Sequence, residues 1–477
     1  MQVVREFISL PDSFKANKHL LFISLILLFP AVLIAASFGI TFKIIIVFVI
    51  LPVALFSLTS FKISLCFFTV LVFSDIAFLR MYSVVPYSIL LFFGFLLYEY
   101  DNKAALFNHQ LAKWFYLYFF TMLISLINSS NILLSLYLMI NYVGMFLIIA
   151  LVKNYLTTFE NYRRTVKIFF SFNVLNGIVI IFLNLFTSER VFGFIGIVFV
   201  DFASLAILIL IIYLMFSQGT KTLLYLSLLI FLLISLFVTQ TRSSLGVLAL
   251  SVLLLFGYLF FQAEIFNLKK SKVGAIFFSS IIIIGGLVGV LLLTNPEIFS
   301  RFQGLQNTDV SSLKFETDFT QSSFFSRLLI WSVSLRAFEA HPIIGMGAFS
   351  FQFASEQYSA LTPFLYKTFV EGLSPHVAYL AVLVETGIVG LIAFLLLWIA
   401  IFKLAFKNIR NAVSVESKKY SLITLFVQVY IFISMGITDA WLWGQSAMLW
   451  GISLGILLSL YEIVRRESIN IKIKPTG

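Results

Sequence analysis

A histidine at position 376 precedes a long apolar run, in the stretch SPHVAYLAVLVETGIVG (residues 374–390). Ser-Pro ends the polar segment before it, and an apolar helix is predicted to begin directly after it. Because a helix start favours the neutral imidazole, which can accept a proton, His376 is a candidate general base. An inert polar residue at a helix start is the competing interpretation. Glu385, deeper in the same run, is interpreted as polar support for helix packing.

Four arginines are candidates for binding an anion near this histidine. A guanidinium is always charged and donates two parallel hydrogen bonds to a phosphate, so arginines at helix ends are typical of a pyrophosphate site. The competing interpretations are contact with lipid headgroups for an arginine in a short loop and a solvated face for an arginine on a helix. The candidates are Arg190, Arg242, Arg327 and Arg336.

Other polar residues restrict the chemistry further. Asp201 and Asp439 lie near the ends of predicted helices, where we expect them to pair with the arginines or to orient the histidine. His341, which precedes Pro342, is interpreted as part of a helix stop. The sequence contains no HExxH, CxxC or Walker motif, and no D-x-D pair on the side of the candidate residues. We therefore expect no metal and no cofactor, with arginine stabilising the leaving group.

The elements that must hold these residues are membrane helices. The chain has 477 residues, of which 61% are hydrophobic and 11% charged, and its mean hydropathy is +1.05. A soluble domain carries about a quarter charged residues, so the composition excludes that class. Apolar runs of about 18 residues or more recur from Leu20 to Leu460, and each is long enough to cross a bilayer. The predicted fold is all-α, a polytopic membrane protein with about 14 transmembrane helices.

The positions of the basic residues predict the orientation. Most of the 32 lysines and arginines fall in one set of alternate loops, together with both ends of the chain. The positive-inside rule therefore predicts that both termini are cytoplasmic. The net charge of +11 is spread over these short loops and forms no continuous basic face, so we expect no nucleic acid partner.

One outer loop is much longer than the others. The first four predicted spans lie before residue 100 and the other ten lie between residues 113 and 462. Residues 294–375, between the eleventh and twelfth spans, form a long outer loop, and loops of such length are usually functional. Its segment FSRLLIWSVSLRAFEAH is predicted to be a helix on the outer membrane face. We expect one transmembrane domain, residues 1–477, with this loop capping the active site.

Three stretches resemble the O-antigen ligase/O-antigen polymerase (Wzy-type) family of bacterial inner-membrane glycosyltransferases. HPIIGMGAFSF, after a helix led by Arg327, is similar to the family's His-Pro and Gly-x-Gly segment. His376, followed after Val377 by nine residues and then Gly387 and Gly390, resembles the ligase motif of His, Asn/Ser/Gln, nine residues, Gly, two residues, Gly. TQTRSSLG and RVFGF resemble short external arginine loops. Val377 stands where ligases carry Asn, Ser or Gln, which favours polymerase over ligase.

The resemblance implies a polymerase that transfers a growing glycan from undecaprenyl pyrophosphate onto an undecaprenyl-pyrophosphate-linked repeat unit. The expected reaction is inverting, metal-independent and located at the periplasmic face of the bacterial inner membrane. His376 would be the base, and Arg242 and Arg327, with Arg190 and Arg336 as further candidates, would bind the pyrophosphate. The implied partners are a lipid-linked oligosaccharide, membrane lipids and a chain-length regulator protein.

Two other functions stay open. A ligase would use the same donor but transfer the glycan to lipid A–core. A transporter or flippase for lipid-linked oligosaccharides should show pseudo-symmetric halves and broken helices at matching positions, and the sequence shows neither. A purely structural membrane protein explains the outer arginines least well.

Overall fold

A computed structural model of the chain describes residues 109–186, 199–239, 241–294, 323–442 and 444–473. These ranges consist of helices and their connections, in agreement with the all-α prediction. Each of the ten spans predicted from residue 113 onward overlaps one helix, whereas the first four predicted spans lie outside the described residues. The helices are α1 (Ala112–Ser125), α2 (Ile132–Tyr155), α3 (Phe159–Asn184), α4 (Phe199–Phe216), α5 (Thr220–Val238), α6 (Arg242–Gln262), α7 (Lys270–Thr294), α8 (Ser323–Ala340), α9 (Pro363–Phe369), α10 (Ala378–Asn411), α11 (Val415–Met435) and α12 (Gly444–Ile473).

Six helices in the described part of the chain are long and apolar enough to cross a membrane, namely α3, α4, α5, α6, α10 and α12. Helix α4 lies at the centre of the bundle, since all but two of its eighteen residues are buried. It packs against α3, α5, α6 and α11. The predicted total of about 14 spans stays a prediction.

Helices α2 and α12 pack closely because small residues line their contact. A β-carbon added at Gly451 would lie 2.9 Å from the Met145 side chain, and one at Gly455 would lie 2.6 Å from Val152. Small residues at four-residue spacing let two membrane helices approach backbone to backbone. Ser459, one turn further along α12, donates a hydrogen bond to the carbonyl of Leu156.

The two ends of the bundle differ in character. At one end, which we call the basic face, the connections α2–α3, α4–α5, α6–α7 and α10–α11 lie together. Lys272 Nζ donates to the Ser217 carbonyl at 2.7 Å, and Lys418 Nζ donates to Asn267 Oδ1 at 3.3 Å. The loops predicted to be cytoplasmic are thus gathered at one end, as the alternation of basic loops requires.

The opposite end, which we call the loop face, is covered by residues 323–377. This segment has a small apolar core of its own, which includes Val384 of α10. Helix α8 confirms the helix predicted for FSRLLIWSVSLRAFEAH. Its buried apolar side chains, Ile330, Val333 and Ala337, belong to this core. The apolar side that we expected to lie on the membrane is therefore used largely for packing within the protein.

Candidate functional site

Helix α10 is broken near its start at Gly387. The backbone there has φ 67° and ψ −171°, which separates a short segment, residues 378–386, from the rest of the helix. Glycine is required, because positive φ disfavours other residues and a β-carbon would lie 2.2 Å from the Ile343 carbonyl oxygen. The break sets the direction of the short segment that begins just after His376.

The turn after α8 fills this break. A break in a helix frees backbone N–H and C=O groups, which are costly to leave unpaired in a membrane protein. Four backbone hydrogen bonds of 2.9–3.3 Å satisfy them: Met346 N to Val384 O, Gly347 N to Glu385 O, Ile388 N to Pro342 O, and Val389 N to Ile343 O. The His-Pro and Gly-x-Gly segment and the glycines after His376 thus form a single joint, which we call the backbone clasp.

Glu385 fixes the second half of the turn. Its side chain is 7% exposed, and its carboxyl group accepts hydrogen bonds from the backbone N–H groups of Phe349 and Phe351. Because a buried carboxyl group needs such partners, the pairing holds the turn and α10 together. The predicted role of Glu385 as polar packing support agrees with this arrangement.

His341 also has a structural position. Asn128 Nδ2, at the end of α1, lies 3.4 Å from His341 Nδ1 and donates to the Gly345 carbonyl at 2.8 Å. On its other side His341 Nε2 lies 2.9 Å from the Tyr358 hydroxyl. The histidine therefore links the loop to the bundle, in agreement with the structural interpretation drawn from the sequence.

His376 has a strained backbone at the tip of the short segment. Its φ of 59° is in the left-handed region, which among the described non-glycine residues is shared only with Asn267 and Phe349. Trp331 of α8 donates from Nε1 to the Pro375 carbonyl at 3.1 Å, and Tyr379 donates from its hydroxyl to the Phe432 carbonyl at 2.7 Å. These two bonds hold the chain on both sides of the histidine, and such over-determined strain is typical of functional sites.

Arg327 and Asp439 complete the surroundings of His376. Arg327 Nη1 donates to the Ile437 carbonyl at 3.2 Å, which ties α8 to the connection between α11 and α12. Asp439, in that connection, is 5% exposed, and among the residues that the structure describes its Oδ2 has no hydrogen-bond partner. The charges of both Arg327 and Asp439 act on the His376 ring.

These neighbours set the protonation state of the histidine. Burial lowers the pKa of His376 below its usual value; Asp439 opposes this effect and Arg327 adds to it. The net direction is downward, so the imidazole is neutral at pH 7 and has a free nitrogen lone pair. Arg327 supplies a positive charge beside it, and Asp439 supplies a negative charge that would stabilise a protonated ring. Chemically, this combination is suited to accepting a proton beside a bound anion.

The other predicted arginines lie in different places. Arg242 is the first residue of α6. Ser244, in the same first turn, forms a side-chain hydrogen bond with Tyr430 near the loop face. Arg336 is exposed and lies nine residues, or about two and a half turns, from Arg327, on the opposite side of α8. Arg190 lies outside the described residues. The structure thus brings His376 together with Arg327, places the start of α6 at the same end, and separates Arg336 from the histidine.

Trp331 and Tyr379 hold the chain on both sides of His376, and neither was predicted from the sequence to have a role at the site. Trp331 follows Arg327 by four residues, so both lie on one side of α8 and reach the His376 region together. This spacing is a signal that could have identified Trp331, whereas Tyr379 carries none beyond its closeness to His376. In the described ranges no group of three or more His, Cys, Asp or Glu side chains is close enough to hold a metal ion.

Residues 226–395 match the family model described as O-antigen ligase, and this match confirms the resemblance over that part of the chain. The matched segment runs from α5 to the middle of α10 and contains Arg242, Arg327, the backbone clasp and His376. It supports an enzyme with ligase-type or polymerase-type glycan transfer. No curated protein matches the chain.

Proposed function

We propose that this protein is a glycosyltransferase that polymerises lipid-linked glycan units at the loop face. The observation that carries the proposal is the strained, neutral His376, on which the charges of Arg327 and of the buried Asp439 both act. The match to the O-antigen ligase family over residues 226–395 supports a glycan as the group transferred. The donor would be a glycan on undecaprenyl pyrophosphate, and the acceptor a second undecaprenyl-pyrophosphate-linked repeat unit.

The reaction is a single displacement at the anomeric carbon. His376 accepts the proton of an acceptor sugar hydroxyl, and that oxygen forms a bond to the anomeric carbon from the face opposite the pyrophosphate. The bond from the anomeric carbon to the pyrophosphate oxygen breaks, and undecaprenyl pyrophosphate leaves with its negative charge. The product has the inverted anomeric configuration.

Arginine stabilises the charge that develops on the leaving group. Arg327 lies beside His376, and its guanidinium is already oriented by the Ile437 carbonyl, so little reorganisation is needed when the anion forms. Arg242 at the start of α6 is the second candidate, with the N-terminus of that helix adding a favourable partial positive charge. Arg190 stays a third candidate, and the exposed Arg336 is the least favoured.

Asp439 stabilises the protonated form of His376 during the reaction. Once the imidazole has accepted the proton it is a cation beside Arg327, which is unfavourable. The Asp439 carboxylate, whose charge acts on the ring, offsets that repulsion. We therefore assign Asp439 as a positioning residue that acts through His376.

A ligase that transfers the glycan to lipid A–core would use the same donor and the same residues. The structure shows that Val377 is the residue preceding the first turn of α10, with no side-chain hydrogen bond to that helix. The absence of a polar side chain at this ligase motif position supports the polymerase. A strain lacking the gene separates the two functions: loss of a polymerase leaves core carrying a single repeat unit, and loss of a ligase leaves core carrying none.

The broken helix does not by itself favour a transporter. In transporters, half-helix ends at a break contact the substrate. Here the backbone of residues 342–347 occupies the break of α10. The transporter therefore remains the less supported function.

Reconstitution tests the proposed activity directly. The full chain in liposomes, given a purified lipid-linked repeat unit, should yield a ladder of elongated glycans on a gel. A protein that moves the lipid-linked repeat across the bilayer without elongating it would overturn the assignment.

A further inference from the structure

A groove far from His376 opens between four helices near the basic face. Together with the open space at its mouth it spans about 760 Å³, and its walls are almost entirely carbon. One side of α3 lines it from Tyr162 to Phe169, and one side of α11 lines it from Tyr420 to Val427. Leu205 and Ile209 of α4, and residues 449–456 of α12, form the rest of the wall.

The depth of the groove fits one leaflet. From Tyr420 to Val427 the α11 backbone rises by about 10 Å, two-thirds of the roughly 15 Å that one leaflet contributes to the hydrocarbon core. The rings of Tyr162, Tyr213 and Tyr420 meet at its shallow end, with Tyr213 and Tyr420 joined by a 3.3 Å hydrogen bond between their hydroxyl groups. Tyrosine clusters of this kind are typical of the water–hydrocarbon boundary.

Positive charge surrounds that shallow end. Lys419 lies next to Tyr420, with its Nζ 5.0 Å from the Tyr213 ring centroid and 4.8 Å from that of Tyr420. Lys419 is close enough to Arg163, which follows Tyr162, and to Lys221 to interact with their charges. Among the described residues, the carboxylate that acts on Lys419 is Glu416, whose Oε1 lies 3.4 Å from Arg163 Nε. These three cations and one carboxylate of the described part of the chain carry a net charge of +2.

We propose that this groove binds one anionic phospholipid from the leaflet at the basic face. One of its two acyl chains enters the carbon-walled groove, and its phosphate contacts Lys419 and Lys221 at the mouth. A zwitterionic lipid could place an acyl chain in the groove, but its headgroup has no net charge to pair with the cations at the mouth. A soluble phosphate could pair with those cations but would leave the groove empty. The site is separate from the proposed reaction at the loop face, so it stands whether or not that function is correct.

Native mass spectrometry of the full chain in detergent tests the proposal, with palmitoyl-oleoyl phosphatidylglycerol, the matching phosphatidylcholine and glycerol phosphate as probes. We expect phosphatidylglycerol to bind more tightly than phosphatidylcholine, and glycerol phosphate to bind not at all. Each cation near an anionic lipid surface contributes about a fivefold preference, so K221Q/K419Q should weaken phosphatidylglycerol binding about 25-fold. Arg164→Gln is the control, because Arg164 is the adjacent exposed arginine and pairs with Glu160 instead.

The acyl chain is tested separately. Dihexanoyl phosphatidylglycerol should bind far more weakly than the long-chain lipid, by about fourfold for each buried methylene lost. Thr424→Phe, which adds bulk inside the groove, should weaken the long-chain lipid without changing the headgroup preference. The proposal would be overturned if K221Q/K419Q bound phosphatidylglycerol as tightly as the unmodified protein, or if R164Q lost as much affinity as that double variant. Equal binding of the short-chain and long-chain lipids would also overturn it.

Discussion

Gly345 and Glu385 meet backbone to backbone, so closely that a β-carbon on Gly345 would lie 2.3 Å from the Glu385 carbonyl carbon. The two residues belong to the two sides of the backbone clasp. Through this contact the turn that follows α8, the helix with Arg327 near its start, is held against the short helical segment that follows His376. The relative position of His376 and Arg327 therefore depends on a joint made mostly of main-chain atoms.

The first prediction concerns this joint. Gly345→Ala should lower stability and abolish the ladder, because the β-carbon meets main-chain atoms that cannot move aside and φ is 74°. Gly372→Ala is the matched control, since Gly372 has a similar φ of 71° but open space around it. Gly372→Ala should lower the free energy of unfolding by only about 1–2 kcal/mol, the cost of the strained backbone. Thermal unfolding of both variants in detergent checks this, and equal destabilisation would contradict the clasp.

The second prediction concerns the base. His376→Ala should reduce ladder formation about 10²–10⁴-fold, the usual contribution of a general base. Binding of the lipid-linked donor should be retained, because the arginines are untouched. The measurement is the initial rate of elongation in liposomes together with donor retention on the purified protein. Full chain-length elongation by this variant would exclude His376 as the base.

The third prediction concerns pH. Because burial holds the pKa of His376 below its usual value, the base stays neutral at pH 7 and loses activity as the pH falls through that lowered pKa. Asp439 raises this pKa, so Asp439→Asn should move the acid limb of the rate profile to lower pH. Arg327 lowers the pKa of His376, so the activity that remains in Arg327→Gln should decline at a higher pH on the acid side of the rate profile. Shifts in the same direction for both variants would contradict the assigned charges.

The fourth prediction separates two arginines on one helix. Arg327→Ala should weaken elongation at least about tenfold, since a charge-assisted hydrogen bond to phosphate contributes about 1.5–3 kcal/mol. Arg336→Ala removes the same type of side chain from the exposed side of α8 and should change the rate by less than about twofold. Rates over a range of donor concentrations give the comparison. Equal losses would indicate that charge on the loop as a whole, and not position, determines donor binding.

The fifth prediction concerns Val377. Val377 precedes the first turn of α10, where Asn accepts a hydrogen bond from the helix and Val does not. Val377→Asn should therefore stabilise the protein by about 1 kcal/mol and keep its polymerising activity. Thermal unfolding and the elongation ladder measure the two effects. A change of acceptor from a lipid-linked repeat to lipid A–core would instead assign acceptor choice to this position.

The helices could be predicted from the sequence because hydrophobic length directly determines membrane spans. The break in α10 could not be predicted in this way, since Gly387 lies inside one continuous predicted span, residues 377–402. The break depends on hydrogen bonds from residues 342–347, about forty positions away in the chain. The exposed position of Arg336 likewise depends on which side of α8 packs against the loop core.

The candidate site was partly predictable for a similar reason. His376 and Arg327 were identified from residue type and motif order, and the structure places them together. The charge effect of Asp439 on His376 was suggested only as one of several possible pairings of the acidic residues. Asp439 is brought near His376 by the packing of α10 against α11 and by the short connection after α11, and this packing cannot be predicted from the local sequence. Tyr379 was missed because its hydrogen bond to the Phe432 carbonyl likewise joins two helices.

The backbone clasp has a consequence for how this protein can diversify. All four hydrogen bonds across the break are made by main-chain groups, so the joint imposes few demands on neighbouring side chains other than small size at its glycines. In the proposed reaction, side chains along α9 and the rest of the loop could change to suit a new sugar while the clasp keeps His376 and Arg327 aligned. Substrate repertoire and catalytic alignment would then be uncoupled, and an engineer could alter the sugar specificity without rebuilding the clasp.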